Sequence, residues 1–213
     1  MKKDIAHLID HTLLSPDAKE EDIRRLVEEA KCFGFAACCV NPYWVPLVSK
    51  LLKGTSIKVC GVVGFPLGAN KPEVKALEAR TCVEDGASEI DMVMNIGAFL
   101  SGDYATVEAD IRGVVEASGV PVKVIIEVGL LSDEQKIMAC KIAKSAGASF
   151  VKTCTGFGPS GATTHDVRLM SKAVGKSMGV KAAGSIRSYR KALTMLKAGA
   201  TRIGASSSVK IVS

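Results

Sequence analysis

Hydrophobic and polar positions follow two alternating periods along the chain of 213 residues. Short apolar runs are typical of buried strands, and longer segments with an apolar residue every three or four positions are typical of amphipathic helices. The pattern predicts eight strands, at residues 8–13, 35–40, 57–63, 89–94, 122–128, 149–153, 180–182 and 202–204. It predicts seven helices between them, at 19–33, 42–52, 71–84, 103–117, 132–145, 164–177 and 188–198, and then a short terminal turn at 206–211.

Local signals agree with these elements. Gly34 is placed to end the first helix, and Ser132 and Gln135 have the spacing of a capping box at the start of the fifth. In the third helix, we expect Val74, Leu77 and Ala79 to contribute the apolar face.

Strands that are apolar throughout and alternate with helices indicate a parallel sheet covered on both faces. Eight such units predict a closed (β/α)8 TIM barrel that forms a single domain over residues 1–213, with a shortened final helix. An open doubly wound sheet is the alternative, but it usually has fewer strands, and no GxGxxG fingerprint follows the first strand. The flank beside the shortened helix is either covered by a partner subunit or open.

Three charged residues fall inside otherwise apolar strands, namely Lys152, Lys181 and Asp91. Because strand side chains alternate between the helix layer and the barrel interior, these three are expected to point inward, near the catalytic end. Desolvated lysine beside a second cation becomes an amine nucleophile, so the set favours Schiff-base chemistry over lysines that curl out to solvent. Lys123 is interpreted as outward-facing, and Glu89 as a surface charge.

The loops after the last three strands, at 156–161, 184–187 and 204–208, are rich in glycine and serine. Barrels often bind phosphate with the last two of these loops, through backbone amides that converge on the anion. Arg187 either guards such a phosphate or pairs on the surface. In the first strand, Asp10 and Thr12 share the inward face.

Composition narrows the function further. A net charge of +6 without a basic tail fits either a solvated surface or the attraction of an anionic metabolite, and 5% aromatic residues argue against a nucleic-acid surface. Seven cysteines without a CxxC pair predict reduced, buried thiols, and the three histidines lack the spacing of metal ligands. No signal peptide and no membrane-spanning run is recognised, so we expect a cytoplasmic protein that contacts neither membrane nor nucleic acid.

Seven short motifs, in order along nearly the whole chain, resemble the deoxyribose-phosphate aldolase family. They are DHTLL at 10–14, VNPY at 40–43, GFPLG at 64–68, EIDMV at 89–93, KVIIE at 123–127, FVKT at 150–153 and GSIR at 184–187. The resemblance implies a class I aldolase without cofactor or metal that reversibly cleaves 2-deoxy-D-ribose 5-phosphate to acetaldehyde and D-glyceraldehyde 3-phosphate. It also implies a homodimer or homotetramer that acts in deoxyribose phosphate catabolism.

The same resemblance assigns roles to residues. Lys152 matches the Schiff-base nucleophile, Lys181 the residue that tunes its pKa and exchanges protons, and Asp91 the proton donor and acceptor, which works through a water. We expect the substrate to be bound by Asp10, Thr12, Thr155, Gly184, Ser185, Arg187, Gly204, Ser206 and Ser207.

The chain departs from the family pattern at a few positions. Ser185, Ser160 and Ser208 stand where glycine is common, and Cys154 replaces a common serine beside the nucleophile. Two other functions compete with the first: a Schiff-base aldolase or transaldolase-like barrel for a different phosphosugar, and a catalytically silent barrel that binds a phosphosugar.

Overall fold

Eight parallel strands close into a barrel in the order of the sequence, each paired with the next and the last with the first. The structure is a computed structural model that describes residues 2–213, with side chains from residue 4 onward. The strands are β1 (Ile9–Leu13), β2 (Ala37–Val40), β3 (Lys58–Val63), β4 (Glu89–Val93), β5 (Val122–Ile125), β6 (Phe150–Lys152), β7 (Gly179–Ala183) and β8 (Arg202–Ala205). The predicted (β/α)8 barrel is therefore confirmed.

Helices surround the barrel and join successive strands. They are α1 (Glu20–Phe33), α2 (Val45–Leu52), α3 (Pro72–Glu84), α4 (Ile96–Leu100), α5 (Tyr104–Ser118), α6 (Asp133–Ser145), α7 (Thr164–Val174), α8 (Tyr189–Lys197) and α9 (Ser208–Val212). Short 3₁₀ helices lie at Lys2–Leu8, Pro42–Trp44, Val128–Leu130 and Gly175–Ser177. Among these helices of residues 2–213, none is both long and apolar enough to cross a membrane.

Most differences from the predicted elements lie at their ends. The strand predicted to run to residue 128 stops at Ile125, because Glu127 takes a left-handed backbone conformation with φ of 52°. The helix α4 lies in the connection between the strand predicted at 89–94 and the helix predicted at 103–117, and the Asn95 side chain caps it by accepting a hydrogen bond from the amide of Ala98 at 3.0 Å. The capping box of Ser132 and Gln135 is present as predicted.

The shortened final helix leaves no uncovered flank. The five-residue helix α9 packs against the 3₁₀ helix Lys2–Leu8 and against α8 and β1. The side chains of Ile5 and Ala6 are buried there, as are those of Ile211 and Val212. The N-terminal segment thus covers the flank, together with α9.

The helix α3 corrects one expectation about its apolar face. Ala79 is buried as expected, but Val74 and Leu77 are 45% and 60% exposed. Lys75 occupies the buried side instead, where its ammonium donates to the carbonyl of Val93 at 3.0 Å and to Asp110 at 2.6 Å. This buried pair ties α3 and α5 to the end of β4.

The barrel has two unequal apolar layers. The large one lies between strands and helices, and a small one inside the barrel contains Leu14, Ala37, Cys39, Cys60 and Val62. The apolar interior therefore fills only part of the barrel, and charged side chains occupy the rest of it.

Close packing at the start of β7 gives a first prediction. A Cβ atom on Gly179 would lie 2.2 Å from a ring carbon of Phe150 and 2.9 Å from the Thr201 hydroxyl. We expect Gly179→Ala to lower the free energy of unfolding by about 1–3 kcal/mol, measured by urea denaturation.

The matched control is Gly113→Ala in α5, where a new Cβ meets no atom within 4 Å. Because alanine is the better helix former, this variant should gain about 0.5–1 kcal/mol. Equal stability of the two variants would contradict the packing described here.

Candidate active site

Three lysines converge on one carboxylate inside the barrel. Asp91 on β4 accepts hydrogen bonds from Lys123 at 2.8 Å through Oδ1, and from Lys152 at 2.8 Å and Lys181 at 2.7 Å through Oδ2. No more than 3% of any of these four side chains is exposed. The strand register explains the convergence, because Asp91 lies opposite Lys123, and Lys152 opposite Lys181. The structure thus brings together the three residues predicted to be catalytic.

Two interpretations of the sequence were wrong. Lys123 was expected to face outward, and it is fully buried inside the barrel. Glu89 was expected on the surface, but it is 5% exposed and binds Lys123 at 2.7 Å. The physical reason is the helix layer: in a covered barrel, the apolar residues of a strand face the helices, so the polar ones between them face the interior.

The network continues toward the start of the strands. Asp10 forms ion pairs with Lys181 at 2.5 Å and with Arg202 at 2.7 Å, and Arg202 also binds Glu89 at 3.2 Å. These contacts join seven charged side chains: the cations Lys123, Lys152, Lys181 and Arg202, and the anions Asp10, Glu89 and Asp91. The network therefore carries one more formal positive charge than negative charges.

Electrostatics keep most of the network ionised. Burial alone would raise the pKa of Asp91, but Lys123, Lys152 and Lys181 outweigh burial and hold that pKa well below its usual range. Burial would lower the pKa of Lys181, but Asp10 and Asp91 raise it above its ordinary value. Lys181 is thus an ammonium, and Asp91 a carboxylate, throughout the neutral range.

Two thiols complete the surroundings of Asp91. Cys60 donates to Oδ1 at 3.1 Å, and Cys39 lies 3.9 Å from Oδ2. Cys39, Cys60 and Asp91 each have a possible metal-ligand atom within 4.8 Å of the others. Three ammonium groups already bind the carboxylate, so a divalent cation would have to displace them.

A cavity of about 530 Å³ opens above Lys152 at the carboxyl ends of the strands. Of the residues predicted to bind substrate, seven line it, namely Thr12, Thr155, Gly184, Ser185, Arg187, Gly204 and Ser206. Asp10 lies beneath it and is bound to Lys181, and Ser207 is half-buried at the start of α9. Arg187 is exposed at the cavity and forms no ion pair within residues 2–213.

The serines that replace common glycines have different environments. Ser185 has φ of 58°, the left-handed conformation that glycine adopts most easily, and its side chain faces Gly161. Ser208 is buried and donates to the carbonyl of Ala205 at 2.8 Å. Ser160 packs against Gly129. Of these three serines, Ser160 and Ser185 line the cavity and Ser208 does not, so a ligand in the cavity would lie next to two of them.

Cys154, two residues after Lys152, is a buried thiol. Burial raises its pKa to about 12, so it is protonated at neutral pH. A protonated thiol is a weak nucleophile, and Cys154 therefore contributes packing to this wall of the barrel.

Comparisons with known proteins identify the family of this chain. Residues 5–212 match the family described as DeoC/LacD family aldolase. A deoxyribose-phosphate aldolase of Streptococcus pneumoniae serotype 19F is 60% identical over 205 residues, which cover 96% of this chain and 93% of that protein. Deoxyribose-phosphate aldolase 1 of Bacillus licheniformis is 55% identical over 214 residues, 100% of this chain and 96% of that protein.

A solved structure is similar over the whole fold. The deoxyribose phosphate aldolase of Aeropyrum pernix, described as a unique tetramer, has a TM-score of 0.92 and 39% sequence identity. The match covers 100% of this chain and 91% of that one.

The ion pairs of the buried lysines predict unequal effects of removing them. Lys152→Met removes one ion pair and leaves Asp91 with two lysines, so we expect the unfolding free energy to change by less than about 1 kcal/mol. Lys123→Met leaves the same balance of charges but removes the ion pairs to both Glu89 and Asp91, so it should cost about 3–5 kcal/mol.

Chemical denaturation of both variants at pH 7 measures the difference. A Lys152→Met variant that is as unstable as Lys123→Met would contradict the greater number of ion pairs assigned to Lys123.

Proposed function

This chain belongs to the DeoC/LacD family of aldolases, and we propose that it reversibly cleaves 2-deoxy-D-ribose 5-phosphate to acetaldehyde and D-glyceraldehyde 3-phosphate. One observation carries the proposal. Lys152 reaches the cavity and has one carboxylate partner, Asp91, whereas Lys123 and Lys181 are fully buried and each have at least two. Lys152 is thus the lysine whose amine a substrate can reach.

Of the three lysines that bind Asp91, Lys152 also makes the fewest ion pairs. Its nitrogen and that of Lys181 bind the same oxygen of Asp91, so two ammonium groups are near neighbours in a dry interior. Like charges repel strongly in such a place, and Lys181 is held protonated by Asp10 and Asp91. The proposed reaction uses the neutral amine of Lys152, because only that form attacks a carbonyl.

The proposed reaction begins when the amine of Lys152 attacks the C1 aldehyde of the open-chain sugar, and water leaves as an iminium forms. The iminium accepts the electron pair of the C2–C3 bond, while the C3 hydroxyl loses its proton and becomes the aldehyde of glyceraldehyde 3-phosphate. The enamine left on Lys152 takes a proton at C2, and water then releases acetaldehyde. Lys181 supplies and recovers protons, and Asp91 acts as the proton relay through a water.

The phosphate is proposed to bind at the loops after β7 and β8. Gly184 and Ser185 offer backbone amides on one side, and Ser206 and Ser207 on the other. The exposed guanidinium of Arg187 and the net charge of +6 attract the anion. In this proposal Thr12 and Thr155 bind the sugar between phosphate and iminium, and Asp10 acts by holding Lys181.

The enzyme is proposed to act in the cytoplasm, in the catabolism of deoxyribose phosphate. All seven cysteines are free, which fits a reducing compartment. The chemistry above requires neither a metal nor an organic cofactor.

Trapping of the imine tests the proposal. Borohydride added with acetaldehyde should reduce the iminium and leave an ethyl group on Lys152, located by peptide mass mapping. Lys152→Met should lose both the adduct and aldolase turnover, whereas a control, Lys172→Met at an exposed site on α7, should keep both. An unmodified Lys152 in a chain that still turns over would overturn the mechanism.

The same experiment separates the competing functions. A silent barrel that binds a phosphosugar would give neither adduct nor turnover. An aldolase for a different phosphosugar would give no adduct with acetaldehyde but turnover with another donor.

We propose that the protein is a homodimer or homotetramer. The Aeropyrum pernix enzyme is described as a tetramer, and this chain exposes apolar side chains on and beside α3, namely Leu67, Val74 and Leu77. Such residues are typical of subunit interfaces.

Light scattering at micromolar concentration should give the mass of two or four copies. Leu77→Glu should shift the population toward smaller assemblies, while Met138→Glu, at an exposed apolar residue of α6, should have less effect. A monomeric unaltered chain would contradict this assignment.

A further inference from the structure

Glu127 is held in an unusual backbone conformation beside Thr155, a residue that lines the cavity. Within residues 2–213, it is one of two residues other than glycine with a positive φ, the other being Ser185. Its φ and ψ are 52° and 68°, and it lies two residues after the end of β5. Such strain persists where surrounding contacts fix it, and it concentrates at ligand sites.

Those contacts are specific. The carboxylate of Glu127 is buried, and its Oε2 accepts hydrogen bonds from the Thr155 amide at 3.1 Å and from the Thr155 hydroxyl at 2.5 Å. A Cβ on Gly158 would lie 2.6 Å from the carboxylate carbon of Glu127, so only glycine fits at position 158 of this loop. Glu127 thus fastens the loop that follows Lys152.

The second oxygen of the carboxylate, Oε1, has no hydrogen-bond partner among the residues that the structure describes. It lies against Gly158, 2.8 Å from where a Cβ would be. All the polar contacts of the buried carboxylate are therefore made with Thr155, and this residue lines the cavity.

These contacts fix what the Thr155 hydroxyl can recognise. A hydroxyl has one donor and two acceptor lone pairs. Thr155 donates its proton to Glu127 and accepts from the amide of Phe157 at 3.0 Å. One lone pair remains, so Thr155 can accept a hydrogen bond from a ligand but cannot donate one.

We propose that Glu127 is a positioning residue that orients Thr155 as an acceptor for a hydroxyl group of the substrate. This inference rests on the proposed aldolase function and names part of its specificity. The group recognised belongs to the acceptor aldehyde, which must carry a hydroxyl beside its carbonyl. A carbonyl or phosphate oxygen at this point would face a lone pair and be rejected.

Two acceptors distinguish this role from a structural one. Glyceraldehyde 3-phosphate carries the hydroxyl, and 3-hydroxypropanal phosphate is the same aldehyde without it. Thr155→Val removes the hydroxyl and keeps the backbone amide. We expect kcat/KM of this variant to fall about tenfold for glyceraldehyde 3-phosphate, the order expected for one hydrogen bond, and to change little for the deoxy analogue.

Variants of Glu127 test whether it acts through Thr155. Glu127→Gln retains an acceptor oxygen and should keep most of the preference for the hydroxylated acceptor. Glu127→Leu frees the Thr155 proton and should lose that preference. In the double variant with Thr155→Val, the loss should equal that of Thr155→Val alone, since both changes remove the same contact. Thr194→Val, at an exposed site on α8, is the control and should behave as the unaltered chain.

Exchange of acetaldehyde methyl protons for deuterium provides an independent readout, because it needs the imine on Lys152 but no acceptor. We expect exchange to persist in Thr155→Val and Glu127→Gln. Equal loss with both acceptors, or loss of exchange in Thr155→Val, would overturn the role of Thr155 and Glu127 while the aldolase function stands. Absence of exchange in the unaltered chain would overturn the aldolase proposal and this inference with it. If Glu127→Leu fails to fold, Glu127→Met takes its place, since it is close to glutamate in volume and has no oxygen acceptor for the Thr155 proton; an unchanged preference in that variant would overturn the role of Glu127.

Discussion

The structure depends on the carboxylate of Asp91, which lies in a dry interior and binds four donors. An ionised carboxylate offers about four lone-pair positions. Lys123 and Cys60 occupy those of Oδ1, and Lys152 and Lys181 those of Oδ2. Each buried ammonium in turn needs an anion, because an unpaired charge there would be very costly. The barrel meets both requirements because Asp91 and its four donors lie on five adjacent strands, β3 to β7.

The same carboxylate links the fold to the proposed chemistry. An iminium on Lys152 carries the same charge as the ammonium that it replaces, so the anion that stabilises the resting lysine also stabilises the intermediate. The neutral amine, which attacks the carbonyl, is the one state of Lys152 with a different charge. A preorganised site of this kind needs little rearrangement as charge develops, which is the main way in which enzymes stabilise transition states.

Alternation along the strands was enough to predict the barrel and the three central residues. Lys152, Lys181 and Asp91 each interrupt an apolar strand, and each points inward as expected. Lys123 follows the same alternation. The outward position predicted for it was wrong because the apolar side of β5 faces the helices and not the barrel interior. Glu89 was predicted to lie on the surface because a charge at the start of a strand is usually solvated. In the structure, Arg202 and Lys123 bind it from strands that are distant in sequence.

Features set by contacts distant in sequence could not be predicted in this way. The exposure of Val74 and Leu77 follows from the rotation of α3 that buries Lys75 against Asp110, a pairing that no local pattern records. The covering of the last flank by the N-terminal 3₁₀ helix likewise joins the two ends of the chain.

Glu127 and Ser185 show why the cavity is harder to predict than the barrel. Both have the left-handed conformation that glycine favours, yet both carry side chains, and each is accommodated by a glycine elsewhere: Gly158 for Glu127 and Gly161 for Ser185. Both glycines belong to the loop after β6, so the conformation of that one loop is set by residues that follow β5 and β7. A loop held from both sides in this way can present Thr155 at a fixed position, although its own sequence has only the glycine-rich composition of a turn.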